Sequence, residues 1–152
     1  MAKKKLIDLY LYRIKNNNVE FLLFKRSSGK IYEGQWRMIG GKVKPDETRW
    51  QAALRELKEE TGLKPLHFWT VPSINQFYEQ SSDTIHSIPV FAAEIDASPG
   101  ISLDDEHSEY RWINPDNASD FIQWPEQIRL IKLTSQLINT NRILEDWRVP
   151  LP

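Results

Sequence analysis

The sequence contains no cysteine. That absence excludes disulfides, thiolate metal sites and a cysteine nucleophile, and it fits a reducing compartment. No run approaches the ~20 apolar residues that a membrane span requires. An excess of one charge is missing too: 20 Lys and Arg stand against 21 Asp and Glu, for a formal net charge of −1. Such a balance argues against stable nucleic-acid binding, which needs a basic patch or stripe. Lys3, Lys4 and Lys5 make a short basic start. No small-residue cleavage site follows them, so they read as a solvated terminus and not as a signal peptide. There is no internal repeat, low-complexity tract or linker. The expectation is a soluble cytoplasmic protein whose residues 1–152 form a single domain with a core that needs no cross-links.

What is present reads as strands and two helices. Residues 6–14 and 19–26 are rich in Leu, β-branched and aromatic residues around the turn-forming Asn16-Asn17-Asn18, which predicts a hairpin. Residues 27–35 read as a loop, and 36–43 as a short strand broken at Gly40-Gly41, where backbone must bend or approach something closely. A helix over about 47–61 follows, with Asp46 as its cap, Glu47 in its first turn and Gly62 as a left-handed stop before Pro65. Residues 66–78 and 84–96 suggest a second pair of strands, and Tyr110 to Ile113 a short one. Pro125 opens a second helix with an apolar stripe at Ile128, Ile131, Leu137 and Ile138. Without strict βαβ alternation, the fold class is α/β (α+β) with a mixed sheet between helices.

The first helix carries an odd charge pattern. Glu56, Glu59 and Glu60 lie at i, i+3 and i+4, within about 100° of one face. Like charges so spaced repel by a few tenths of a kcal/mol per pair. Trp50, Ala53, Leu54 and Leu57 occupy the adjacent face and are expected to pack on the sheet. Clustered carboxylates are hard oxygen donors suited to Mg²⁺, for which Mn²⁺ can substitute. A plain solvated acidic face would carry the same residues, so the surroundings decide. His67, His86 and His107 show no zinc spacing.

Those surroundings form a pattern. Gly41 is followed after five residues by Glu47, after seven more by Arg55-Glu56-Leu57, then Glu59-Glu60 and Gly62-Leu63. These identities would coincide by chance in fewer than about one chain in a million. The segment resembles a complete Nudix box. The resemblance implies an α/β/α sandwich with a central mixed sheet and the box as loop–helix–loop. It implies metal binding by Glu56, Glu59 and Glu60, an added ligand from the Gly40 carbonyl, and orientation of the carboxylates by Arg55 and Glu47. Glu106-His107 with Tyr110 and Trp112 resembles the segment that supplies a further acid in the branch hydrolysing dihydroneopterin triphosphate and dATP-like substrates. Glu106 is therefore expected as an extra metal ligand or base, with Glu109 the alternative and an ordinary acidic loop at Asp104, Asp105 and Glu106 the plainer reading. Ile39 stands where many relatives carry proline, a departure which that branch shares.

Arg26, at the end of a predicted strand, resembles a phosphate-contacting residue of related enzymes, and Lys42 follows the glycine pair and could reach the same phosphates. The implied activity is Mg²⁺-dependent hydrolysis of a nucleoside-triphosphate-like small molecule, such as dATP, another NTP or dihydroneopterin triphosphate, with release of pyrophosphate. Glu56 is the preferred base and Glu106 the other candidate. Other Nudix substrates (ADP-ribose, nucleotide sugars, dinucleoside polyphosphates) share the box. A silent nucleotide-binding module would be expected to have lost box carboxylates, and this chain has all of them. Tyr32, Trp36, Phe77 and Tyr78 could stack on a base, although packing is the plainer reading of each, and the tryptophans mostly read as core. Nothing in the sequence excludes a homodimer.

Overall fold

The computed structural model describes residues 5–151. Lys3 and Lys4 lie outside that range, and Lys5 is exposed. Strands β1 (Leu6–Lys15) and β2 (Asn18–Arg26) form the predicted hairpin, with Asn16 and Asn17 both at positive φ, a conformation asparagine tolerates well. The strands then part. The first residues of β1 pair with β4 (Ile39–Lys42) and the last residues of β2 pair with β3 (Trp36–Arg37), so the glycine-bearing segment fills the gap between them.

The rest of the sheet is built outwards from this hairpin. β6 (Thr84–Glu94) runs parallel to β1, and β5 (His67–Glu79) pairs antiparallel with β6 at the edge. β7 (His107–Ile113) pairs with the outer side of β2. One parallel and several antiparallel ladders make the sheet mixed, as expected. β7 starts earlier than the Tyr110 expected from local pattern because its register follows β2 through Arg26, opposite His107.

Helices cover both faces. Helix α1 (Arg49–Thr61) buries Ala52, Ala53 and Leu57 against Ile7, Leu9, Leu11, Leu22 and Phe24. The short α2 (Ala118–Phe121), which local pattern did not indicate, and α3 (Pro125–Asn139) pack on the opposite face, where Leu130 and Ile131 meet Tyr10, Tyr12, Phe21 and Leu23. The alternation of β1 sends odd and even positions to opposite cores, the arrangement of an α/β/α sandwich. No helix among the described residues is long and apolar enough to cross a membrane.

Two expectations are corrected. The helix does not start at Glu47 under an Asp46 cap. Thr48 caps it, accepting from Gln51 N while the Gln51 side chain accepts from Thr48 N at 2.8 Å, and no acidic residue sits in the first turn. Trp50 does not join the core but remains 36% exposed, because the buried stripe of α1 runs through Ala53 and Leu57. The tryptophans are otherwise mostly core: Trp69 is fully buried, its Nε1 donating to Tyr12 Oη at 3.0 Å, and Trp36, Trp112 and Trp124 pack partly buried against the two core clusters. The predicted end holds: Gly62 adopts φ 74° and its N–H donates to the Lys58 carbonyl.

Candidate active site

Arg55 organises the start of the site. Its Nε and Nη2 donate to the Glu47 carboxylate, with Nη2 2.6 Å from Oε1, and Nη2 also donates to the Lys42 carbonyl at 2.8 Å. Nη1 donates to Glu56 Oε1 at 2.9 Å and to Glu59 Oε2 at 3.1 Å. One guanidinium thus ties the loop before α1, the end of β4 and two box carboxylates together, a planar many-donor role that a lysine ammonium fills poorly. The hydrogen bond from Arg55 holds the Glu47 carboxyl far below its usual range, at about 2.

The glycine pair matters by closeness. A Cβ on Gly41 would lie 2.6 Å from Glu56 Cγ and 2.9 Å from its Oε1. Gly41 is therefore the groove into which Glu56 lies. Gly40 is exposed beside it.

Glu60 projects from the same helix but enters a different environment. It is 1% exposed, and neither carboxylate oxygen has a hydrogen-bond partner among the described residues. The groups it faces are acids: one oxygen each of Glu60, Asp104 and Glu106 lie within 4.8 Å of one another. Burial first, and the charge of Glu56 second, push its carboxyl up to about 10. Burial likewise raises Glu56 and Asp104, with neighbouring carboxylates adding to each.

The loop carrying Asp104 and Glu106 is pinned at both ends. Ser102 N donates to the Thr61 carbonyl at the end of α1, and Ser27 N donates to the Glu106 carbonyl after β2. Arg26 lies alongside, with Nη1 3.5 Å from Glu106 Oε2 and 3.4 Å from His107 Nε2. His107 is buried against Phe24, and burial together with the Arg26 charge lowers its pKa to about 4. The structure therefore brings together Glu47, Arg55, Glu56 and Glu59 around one guanidinium, and Glu60, Glu106 and Arg26 around the loop. Lys42 contributes a carbonyl contact while its residue stays exposed. Glu109 points elsewhere, 3.8 Å from Lys25. Asp104, which reads from sequence as part of an ordinary acidic loop, belongs to the cluster. Its only sequence signal is a spacing of two from Glu106.

The donor set fits a divalent cation. Buried acids with no donor partner are costly unless protonated or bound to a cation. Several carboxylates and an accessible glycine backbone are the hard oxygen ligands that Mg²⁺ and Mn²⁺ take. Glu56, Glu59, Glu60, Asp104 and Glu106 are the side chains that could hold one or more such ions.

A mixed sheet between helices carries a glycine-led loop and a carboxylate-bearing helix at its splayed end, a donor set that could hold a divalent cation. Comparison with known proteins makes the class specific. The NUDIX domain model matches residues 7–134, and the chain belongs to that family. CTP pyrophosphohydrolase of Escherichia coli is 32% identical over 117 residues, covering 74% of this chain and 80% of that protein. The asymmetrical bis(5′-nucleosyl)-tetraphosphatase of Caenorhabditis elegans is 26% identical over 136 residues, covering 88% and 96%. A solved binary complex of C. elegans Ap4A hydrolase shares the fold with a TM-score of 0.75 at 24% identity, over 91% of this chain and 99% of that one. The chain is an enzyme of the Nudix hydrolase type, acting on phosphoanhydride bonds.

Proposed function

We propose that the protein hydrolyses a phosphoanhydride bond in a nucleoside-triphosphate-like small molecule, an NTP or dNTP or dihydroneopterin triphosphate, and releases pyrophosphate with Mg²⁺ as cofactor. The observation that carries this reading is Glu60, a buried carboxylate without a donor, facing Asp104 and Glu106. Glu56, Glu59, Glu60 and Glu106 are its proposed metal-holding side chains, with the Gly40 carbonyl and Asp104 beside them. When bound there, Mg²⁺ would screen the phosphate charge, polarise phosphorus and acidify a water.

The protein's own groups do the rest. Glu56, raised by burial and steered by Arg55, takes the proton of the attacking water. Glu47 keeps the Arg55 guanidinium in place. Arg26 and Lys42 contact the phosphates and offset their charge. The water oxygen bonds to phosphorus, the bridging P–O bond breaks, and the pyrophosphate leaves with the bonding electron pair.

A second reading, hydrolysis of a dinucleoside polyphosphate, is favoured by the tetraphosphatase relative, nearly all of whose length this chain matches. Phosphate release from a panel of dATP, dihydroneopterin triphosphate, ADP-ribose and a diadenosine polyphosphate separates the two. On the preferred substrate, Glu59→Gln and Glu60→Gln should each fold and lose at least ~2 kcal/mol of transition-state stabilisation, about thirtyfold in rate. Full activity in both variants would overturn the assignment.

A further inference from the structure

His107 is a buried ring, 4% exposed, that none of the hydrolytic steps above uses. Its placement depends on an irregularity in the sheet. From Phe21 opposite Ile113 to Lys25 opposite Glu109, β2 and β7 pair in one unbroken register. Carried further, that register would set Ser108 opposite Arg26 and turn His107 to the face of Lys25 and Glu109. A bulge between Lys25 and Arg26 takes up Ser108 instead, and His107 pairs with Arg26. The ring therefore joins Phe24 on the other face, the one covered by α1, with the two ring centroids 5.2 Å apart.

Packing against Phe24 needs no polar ring, since a phenyl group would fill the same place. Yet both nitrogens of His107 meet charged groups. Nε2 is 3.4 Å from Arg26 Nη1, and Nδ1 is 3.5 Å from Asp104 Oδ1. A guanidinium has only donors, so the nitrogen beside it must present a lone pair. The hydrogen of the ring then lies on Nδ1, a buried atom that makes no hydrogen bond among the described residues and has the Asp104 carboxylate before it. Asp104 Oδ1 also accepts from Glu106 N at 3.1 Å, which fixes where that carboxylate stands. Arg26 is constrained in the same way. Its Nε donates to the Ile31 carbonyl at 3.1 Å, and Nη1 is shared between His107 and Glu106 Oε2, 3.5 Å away. Without an acceptor at His107, nothing would hold Nη1 back from a closer ion pair with Glu106. A carboxylate engaged in that way is a poorer ligand for a cation.

We propose that His107 is a positioning residue. As the Nδ1–H tautomer it accepts from Arg26 and directs its N–H at Asp104. It thereby holds the phosphate-contacting arginine and the acidic cluster in one fixed relation, and keeps Arg26 from capturing Glu106. The inference rests on the hydrolytic reading above, which supplies the roles of Arg26 and the acids. Carboxylates that hold a metal depend on such outer hydrogen bonds for their orientation, and losing one weakens metal binding by about 10- to 100-fold.

Nitrogen-15 NMR of protein labelled in histidine reads the tautomer directly, at neutral pH and with neither metal nor substrate. His107 should carry its hydrogen on Nδ1 and none on Nε2, the signal being assigned by its loss in His107→Gln. A hydrogen on Nε2 would overturn the proposal. Three variants separate the two contacts. His107→Phe keeps a ring against Phe24 and loses both, His107→Gln keeps an acceptor for Arg26, and His107→Asn keeps a donor for Asp104. The Kd for Mn²⁺, followed by electron paramagnetic resonance, should rise at least about tenfold in His107→Phe and recover in His107→Asn. KM for the preferred triphosphate should rise at least about fivefold in His107→Phe and recover in His107→Gln. A structural role alone would lower Tm and leave both constants unchanged; that result would overturn the proposal, as would equal losses in all three variants. If His107→Phe does not fold, the crossed pattern of the other two decides: Mn²⁺ binding weakened with KM kept in the glutamine variant, and the reverse in the asparagine variant. An Nδ1 hydrogen and weakened Mn²⁺ binding in a protein that cleaves no phosphoanhydride would sink the hydrolytic reading alone. Cleavage with the hydrogen on Nε2 would sink this proposal alone.

Discussion

Gly41→Ala tests the geometry of the site through a single methyl group. Gly41 does not have a positive φ, so alanine is compatible with its backbone, and any effect must come from contact. The added Cβ would lie 2.6 Å from Glu56 Cγ and 2.7 Å from Cδ, well inside van der Waals contact. β4 is tied into the ladder with β1, so the side chain must yield. Moving Glu56 breaks its 2.9 Å bond with Arg55 Nη1, between groups whose side chains are only 14% and 20% exposed. A charge-assisted bond in such a setting contributes about 1–2 kcal/mol, so Tm should fall by about 3–8 °C. The catalytic loss should be larger: displacement of a proton acceptor by about 1 Å costs on the order of 100-fold in kcat.

A double-mutant cycle sharpens the test. In a Glu56→Ala background nothing remains for the new Cβ to strike, so Gly41→Ala should cost no further stability, giving a coupling of about 1–2 kcal/mol. Thermal melts of the four proteins, together with kcat of the wild type and Gly41→Ala, provide the readout. If Gly41→Ala keeps wild-type kcat and Tm, or if its penalty persists without Glu56, then Gly41 is not the groove for Glu56 and the placement of the base is wrong.

Other perturbations probe other parts. Burial pushes the Asp8 carboxyl from 3.8 to about 6, so the folded protein favours its neutral form, and stability is lost as pH rises through that interval. Asp8→Asn, which keeps an acceptor for Asn75, should be more stable than wild type above pH 6 by up to about 3 kcal/mol, the gap closing near pH 4; urea titrations across pH would show an unchanged gap if the reasoning fails. Arg55→Lys cannot span Glu47, Glu56, Glu59 and the Lys42 carbonyl at once, so kcat should fall at least about tenfold with the circular dichroism spectrum intact; wild-type turnover would refute the clamp. Thr48→Ala should cost about 1 kcal/mol in chemical denaturation while Asp46→Ala costs almost nothing; the reverse order would restore Asp46 as the cap.

The parts of the molecule legible in sequence are those whose causes lie within a few residues. The hairpin follows from its asparagine turn, the end of α1 from Gly62, and the carboxylate face of that helix from spacing alone. The start of the helix departs from local pattern for a tertiary reason. Glu47 looks like a first-turn acid, but Arg55, eight positions on, takes its carboxylate and keeps it outside the helix, leaving Thr48 and Gln51 to close the cap. Asp104 reads as part of an ordinary acidic loop for the same kind of reason. Only the bonds from Ser102 to Thr61 and from Ser27 to Glu106 bring that loop onto α1 and turn an ordinary acidic stretch into neighbours of Glu60.

Asp8 shows where local reading must end. Its strand alternates Ile7, Leu9 and Leu11 with Asp8, Tyr10 and Tyr12, which on a half-exposed sheet would place the acid on the wet side. Periodicity cannot tell whether that side is covered. Topology decides it: β1 lies between β2 and β6 with α1 on one face and α3 on the other, so both sets of side chains are interior. A carboxylate on such a strand is costly, and Asn75 satisfies only one of its oxygens. A core selected for stability alone would replace it with an apolar or neutral group, so the residue that the sequence hides best is the one whose retention most needs a functional reason.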